Sequence, residues 1–295
     1  MLLVTGANGN LARAVIAQLR ARVAAGEIAV ATRDPESPSA RELAAAGISV
    51  RHGDFDDPAT LAGAFRGVRK ALIISTYSDN SIRLRQNLNA LEAAQEAGVE
   101  HLLYTSFLGA GPDALPEHTQ LVHYPTEQAI IASGLAYTIL RHALYAEAMV
   151  GDLDATLASG LLQRPCGDAA CAYIARDDLG LSAATVLAED GHENRVYSET
   201  MERTYTGDEI AAAIADCFGR PVRYQPVAAE AWPDFMVEKW NFPVSLARST
   251  VGTMRAIEAG QFDIVTSDYR AITGRPPRSF EQFLADLKRQ RETEA

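Results

Sequence analysis

The first twelve residues, Met1-Leu2-Leu3-Val4-Thr5-Gly6-Ala7-Asn8-Gly9-Asn10-Leu11-Ala12, constrain the fold more than any other stretch of the chain. Leu2, Leu3 and Val4 make the short apolar run expected of a parallel strand covered on both faces. Leu11, Val15, Ile16 and Leu19 then recur on one helical face. Between them Gly6 can take a positive φ in a sharp turn, and Gly9 lacks the Cβ that would keep a pyrophosphate away from the helix N-terminus. Ala12 holds the third small position, where helix must pack closely on strand. Strand, glycine turn and helix in this order predict a dinucleotide phosphate cradle, although the spacing Gly6-x-x-Gly9-x-x-Ala12 departs from the usual G-x-G-x-x-G.

The pattern repeats along the chain. Residues 28–32 read as a second strand, 40–46 as a helix and 48–51 as a third strand. Asp57 is a good N-cap with Pro58 at the first helical position, and Leu61 and Phe65 supply the apolar face that follows. Residues 71–76 form a fourth strand, followed by a long helix with Ile82, Leu84, Leu88 and Leu91. Residues 101–106 and 136–140 are the fifth and sixth strands. Strands alternating with helices predict an α/β fold, a Rossmann-type doubly wound parallel sheet whose ligands bind beyond the carboxyl ends of the strands.

Past residue 150 the alternation loosens, though residues 172–175 and 196–197 read as strands that rejoin or flank the sheet. The expected division is therefore a nucleotide-binding domain over residues 1–150, with return segments from about 170 to 200, and a smaller, discontinuous α/β substrate lobe over 151–295. Thr206-Gly207-Asp208-Glu209 is a capping box opening a helix to Phe218. A strand over 222–226 follows, then an aromatic cluster around Trp232, Met236 and Trp240, which reads either as lobe core or as an adaptable apolar binding wall. Residues 287–295 read as a fraying helix.

The tip of the second strand decides the cofactor. There a carboxylate would bond a ribose 2′-hydroxyl and an arginine would accept a 2′-phosphate. Arg33 comes off the strand first and Asp34 second, so NADP is expected ahead of NAD, with a solvated loop arginine as the alternative. Asp54 and Phe55 sit beyond the third strand, where they can contact adenine or, for Asp54, simply form a turn. Hydroxyls crowd the ends of the fourth and fifth strands, at Ser75, Thr76, Tyr77, Thr105 and Ser106, where nicotinamide would lie.

Composition removes other classes. A net charge of −11 on 295 residues argues against a nucleic-acid surface. Three cysteines without metal-pair spacing suit a reduced intracellular protein. No apolar run approaches the roughly 20 residues that span a bilayer, and the first strand begins at residue 2 with no charged leader, so a cytoplasmic protein with no membrane partner is expected. His118 and His123 are five apart and the other histidines are scattered, so no metal site is expected. No Gly-x-Ser-x-Gly elbow of a hydrolase occurs.

Taken together, Thr5 to Leu11, Thr32-Arg33, Gly53-Asp54-Phe55, Tyr104-Thr105-Ser106, Leu140 to Tyr145 and Thr273 to Pro277 resemble the NmrA-like, atypical short-chain dehydrogenases/reductases. Within that group the chain is most similar to triphenylmethane reductases and type 2 quinone oxidoreductases, which reduce bulky conjugated aromatics with NADPH. The resemblance implies an NAD(P)H-dependent reductase of a quinone, dye or polyketide-like compound. Its alternative is a non-catalytic redox sensor that binds the dinucleotide and regulates a partner. Implied cofactor contacts are Thr5, Gly6, Asn8, Gly9, Asn10, Leu11, Arg33, Asp54, Phe55, Ser75, Thr76, Tyr77, Thr105, Ser106 and Gln128. Implied substrate contacts are Phe107, His142, Tyr145, Trp232, Met236 and Trp240. The expected partner is a small aromatic molecule, with a homodimer left open.

Departures from the family pattern bear on mechanism. Short-chain enzymes pair a tyrosine with a lysine four residues on, which lowers the tyrosine pKa. Here Tyr124 keeps the spacing, but the fourth residue is Gln128, where the quinone-reducing relatives carry lysine, and a neutral amide cannot supply that charge. Tyr124 is thus left either as a weak proton donor or as the start of a helix. His123 matches a family histidine and is a second catalytic candidate. His142 replaces an asparagine common in relatives.

Overall fold

The computed structural model describes residues 1–114, 116–117 and 119–294. His118, half of the histidine pair considered above, lies outside the described residues. The strands are β1 (Leu2–Thr5), β2 (Ile28–Thr32), β3 (Ser49–His52), β4 (Lys70–Ile73), β5 (His101–Phe107), β6 (Ala136–His142), β7 (Leu144–Tyr145), β8 (Leu161–Arg164), β9 (Tyr173–Ile174), β10 (Arg195–Glu199) and β11 (Arg223–Pro226). Seven of them make one parallel sheet in the order β10-β6-β5-β4-β1-β2-β3. This is the doubly wound order 3-2-1-4-5-6 with one further strand beyond β6, and its crevice falls where the winding reverses between β1 and β4.

Burial explains the strand sequences. All residues of β1 and β2 are buried, because helices cover both faces of a parallel sheet. One core packs Val4, Val30, Leu72 and Leu103 against the helix Asn10–Arg20. The other packs Leu3, Ala29, Phe65 and Leu102 on the opposite face. The expected stripe of Leu11, Val15, Ile16 and Leu19 is buried as its periodicity requires. Behind that helix lies a second one, Arg176–Ala188, which is apolar and buried for most of its length. The two approach so closely that a Cβ on Gly180 would stand 2.7 Å from the backbone carbon of Ala14.

Several boundaries differ from expectation for identifiable reasons. β4 ends at Ile73 rather than residue 76, because the Ile74 amide donates to Thr5 Oγ1 (3.0 Å) and the Ser75 amide to Thr105 Oγ1 (3.0 Å). Side-chain hydroxyls of the neighbouring strands thus replace the ladder, and residues 74–77 leave the sheet. The strand expected over 172–175 is β9, which pairs with β7 instead of the main sheet, whereas residues 196–197 belong to β10 at its edge. β8, paired with β11, has no counterpart in the sequence reading. The last helix, Phe280–Glu294, buries Phe280, Phe283 and Leu284 near its start, and within the stretch from 287 Lys288 Nζ donates to the Cys217 carbonyl (3.0 Å) and Arg291 pairs with Asp154. Both expected caps form, Asp57 accepting from the Ala59 amide and Thr206 and Glu209 closing a reciprocal box. Among the described residues, no helix is long and apolar enough to cross a membrane.

Candidate functional site

A cleft runs over the carboxyl ends of β2, β1, β4 and β5. It has two halves, of about 430 Å³ on the β2 side and about 460 Å³ on the β5 side. They share Gly6, Gly9, Ile74, Ser75, Thr76 and Tyr77 as walls. At the junction lies the glycine turn. Gly6 has φ of 68° and its carbonyl accepts from the Gly9 amide (2.8 Å). A Cβ on Gly9 would stand 3.2 Å from that carbonyl oxygen. Among the described residues no side chain caps the helix that begins at Asn10, so its first amides are open to a ligand.

On the β2 side Asn8 ties the turn to the strand tip, donating to Thr32 Oγ1 (3.1 Å) and accepting from Ser39 Oγ (2.9 Å). Arg33 is exposed, lines the cavity and has no salt bridge among the described residues. Asp34 lies beside it, its carboxylate engaged with the Glu36 amide (3.0 Å). Asp54 lines the wall with Phe55, and its carboxylate accepts from the Asp56 amide (3.0 Å) in the expected turn.

The β5 side is lined by Asn10, Leu11, Thr105, Ser106, Phe107, His123 and Tyr145, as expected, and by residues the sequence reading missed. Foremost is Arg83, 8% exposed. Its Nη2 lies 3.2 Å from His123 Nε2 and donates to Ser75 Oγ (3.3 Å), while Nε is buried without a partner among the described residues. Burial holds this guanidinium below its usual range, and no carboxylate pairs with it among the described residues. Because arginine can only donate, His123 Nε2 is an acceptor there, which leaves Nδ1 to donate to Tyr104 Oη (2.9 Å). Asn87 also donates to that oxygen (3.0 Å), and burial pushes Tyr104 up to about 12. The His123 ring stacks on Phe107 with centroids 6.1 Å apart.

Arg83 had a signal. The helix Asn80–Glu96 buries Arg83, Gln86, Asn87, Ala90 and Leu91, while Leu88 is 37% exposed. Polar residues at i, i+3 and i+4 mark the face turned toward the site. Ala143, Leu144, Ala148 and Arg176 were also missed, as was the wall from the C-terminal lobe: Ser249, Thr250, Thr253 and Met254, on and between the helices Val244–Ser249 and Val251–Glu258. Nothing local in that polar stretch announces a cavity.

Other expected site residues lie elsewhere. Thr5 is fully buried and ties β1 to β4 through the Leu72 carbonyl (3.1 Å). Tyr124 is half-buried and Gln128 exposed, and neither lines either half of the cleft. In that segment the buried carboxylate is Glu127, which accepts from Arg141 (2.9 and 2.5 Å) and from Ser106 Oγ (2.5 Å), clamping β5 to β6. Trp232, Met236 and Trp240 make a lobe core with Phe235 and Ala247, Trp232 stacking on Phe235 at 5.2 Å. They stand behind the wall, in contact with Met254, rather than in it. His142 is buried behind Tyr145, its Nδ1 3.5 Å from Tyr145 Oη and its Nε2 3.4 Å from Glu199 Oε2. Burial holds His142 down to about 3 and pushes Glu199 up to about 8 and Tyr145 up to about 12.

Comparison with known proteins agrees with this architecture. The NmrA-like family matches residues 1–276. Quinone oxidoreductase 2 of Escherichia coli is 37% identical over 225 residues, 76% of this chain and 77% of that protein. The NAD(P)H azoreductase of Xenophilus azovorans is 30% identical over 288 residues, 96% of both chains. The crystal structure of Citrobacter sp. triphenylmethane reductase complexed with NADP(H) superposes with a TM-score of 0.89 at 34% identity, covering 97% of this chain and 99% of that one. The chain belongs to the NmrA-like family.

Proposed function

We propose that the protein is an NADPH-dependent reductase of quinones and related conjugated aromatics. Residues 1–150 with the return strand serve as the cofactor domain and 151–295 as the substrate lobe. The observation that carries this reading is the apolar β5 side of the cleft, continuous with the glycine cradle and roofed by Met254. A protein that only senses a dinucleotide has no need of an acceptor cavity there.

The residues present fit the cofactor. Gly6 and Gly9 leave the helix start open to a pyrophosphate. Arg33 stands where a 2′-phosphate would be bound, with Asp54 and Phe55 along the adenine wall. Ser75, Thr76, Tyr77 and Thr105 would border the nicotinamide, which when bound supplies a hydride. The relatives named for quinone and azo reduction, and the neighbour holding NADP(H), support this assignment.

This chain's own contribution is placement and charge. Phe107, Leu11, Tyr145 and Met254 can hold a flat aromatic ring against the cradle, and such positioning can supply much of a rate acceleration. Arg83, a buried cation without a carboxylate partner among the described residues, favours an acceptor whose oxygen gains negative charge over one that is already cationic. Quinones are therefore the preferred class, ahead of cationic dyes. The test is to follow loss of the reduced-nicotinamide absorbance with a 1,4-naphthoquinone, an azo dye and a cationic triphenylmethane dye. Turnover fastest with the quinone is expected; NADPH binding without consumption by any acceptor would leave the sensor reading instead.

A further inference from the structure

β6 and β10 run parallel with His142 level with Glu199. Glu199 is 0% exposed and His142 1% exposed. His142 Nε2 and Glu199 Oε2 face each other at 3.4 Å as an ion-pair contact, and neither atom has a hydrogen-bond partner among the described residues. On the other side of the ring, His142 Nδ1 is 3.5 Å from Tyr145 Oη. Tyr145 lines the β5 side of the cleft. A continuous line of three ionisable groups thus joins a carboxyl in the core to the wall of the acceptor cavity.

We propose that Glu199, His142 and Tyr145 form a proton relay that delivers to a bound quinone the proton its reduction requires. Tyr145 is the catalytic donor; His142 and Glu199 are positioning residues that reload it. The proposal rests on the reductase reading. A hydride and a proton together convert a quinone to a hydroquinone, so one proton must be delivered to the acceptor oxygen. The Tyr145 O–H bond breaks and its proton passes to the quinone oxygen. Its phenolate oxygen then takes the proton from His142 Nδ1, and His142 Nε2 takes the carboxyl proton of Glu199, which is left as carboxylate. After product leaves, a proton from water enters at Tyr145 and the same transfers run in reverse.

The surroundings suit this direction of transfer. Among the described residues, the polar groups facing Glu199 besides His142 are the Ser182 hydroxyl and Asp268, with Tyr269 nearby. No cation is among them, so a buried carboxyl there keeps its proton. Tyr145 is flanked by Glu147 and by Arg176, whose guanidinium carbon lies 4.6 Å over the tyrosine ring and can stabilise a transient phenolate. Tyr124, the proton donor of the short-chain pattern, does not reach the cavity wall.

The experiment compares wild type, Tyr145→Phe and Glu199→Gln with NADPH and a 1,4-naphthoquinone. The expected kcat falls about a hundredfold in Tyr145→Phe and about tenfold in Glu199→Gln. Turnover of both variants, but not of wild type, should then rise linearly with the concentration of imidazolium buffer acid, because a small acid replaces the missing donor. Partial unfolding cannot produce that rescue. A second readout needs no turnover: in ¹⁵N-histidine spectra His142 should carry its proton on Nδ1 at neutral pH. Variants that keep wild-type kcat, lost activity without buffer rescue, or a His142 proton on Nε2 would each overturn the relay while leaving the reductase reading in place. A wild type inert toward the quinone would remove both.

Discussion

The contact between Gly180 and Ala14 gives the sharpest link from packing to function. Gly180 lies in the middle of the helix Arg176–Ala188, where alanine would ordinarily be preferred by about 1 kcal/mol. Here an added Cβ would stand 2.7 Å from both the carbonyl carbon and the Cβ of Ala14, and 3.0 Å from its carbonyl oxygen. None of these atoms can swing aside, so the helices must separate by about 1 Å to restore ordinary carbon contacts of roughly 3.5 to 4.0 Å. Overpacking of this kind costs about 1 to 3 kcal/mol. Set against the propensity gain, Gly180→Ala should be destabilised by up to about 2 kcal/mol.

The control is Gly63→Ala, in the helix Pro58–Phe65, where an added Cβ meets nothing within 4 Å. That variant should gain up to about 1 kcal/mol. Urea unfolding with a common m-value reads both, and their difference isolates the contact from the chemistry of the substitution. The displaced helix begins at the cradle, so NADPH affinity of Gly180→Ala should also fall, by about tenfold. Should Gly180→Ala prove as stable as Gly63→Ala and bind NADPH normally, the close approach constrains neither the fold nor the site.

Three further outcomes follow from the cleft. Gly9→Val places a branched side chain at the junction of the two halves and should abolish dinucleotide binding with the fold retained; wild-type affinity by calorimetry would refute the role of Gly9. Arg33→Ala should erase most of a preference for NADP over NAD worth roughly 1.5 to 3 kcal/mol, about tenfold to a hundredfold; equal binding of the two by the native protein would remove the argument, and tighter NAD binding would point to Asp34. Tyr124→Phe should lower kcat less than about tenfold, because the residue stands outside the cleft lining, and a collapse of kcat at unchanged cofactor affinity would return the tyrosine to the acid role.

What could be read from the sequence was what the chain decides locally. The Gly6–Gly9 turn, the buried runs of β1 and β2, and the caps at Asp57 and Thr206 depend on neighbours a few residues away, and each forms as expected. The end of β4 depends on hydroxyls of Thr5 and Thr105, contributed by other strands, and was placed three residues too late. Arg83 was hidden because Ile82, Leu84 and Leu88 suggested an apolar face on the wrong side of its helix. The pairing of His142 with Glu199 exists only because β10 lies beside β6, a choice of topology that no local pattern records.

The same contrast divides the cleft and predicts how it can be altered. Its β2 side is built from residues no later in the chain than Gln86, whereas its β5 side draws on residues as late as Met254. Cofactor choice should therefore yield to single local changes, and acceptor choice should not. Trp240 tests this separation, since it is half-buried and packs on the same lobe core of Trp232, Met236 and Ala247 that Met254 packs on. Truncation of a fully buried tryptophan costs about 3 to 5 kcal/mol, so Trp240→Ala should loosen the lobe by about 2 kcal/mol. The wall carrying Thr253 and Met254 then shifts while the glycine turn does not. The quinone KM should rise about tenfold, with the NADPH dissociation constant held within about twofold. If the two constants moved together, lobe and cradle would form one cooperative unit, and the view of the cleft as two independently determined halves would be wrong.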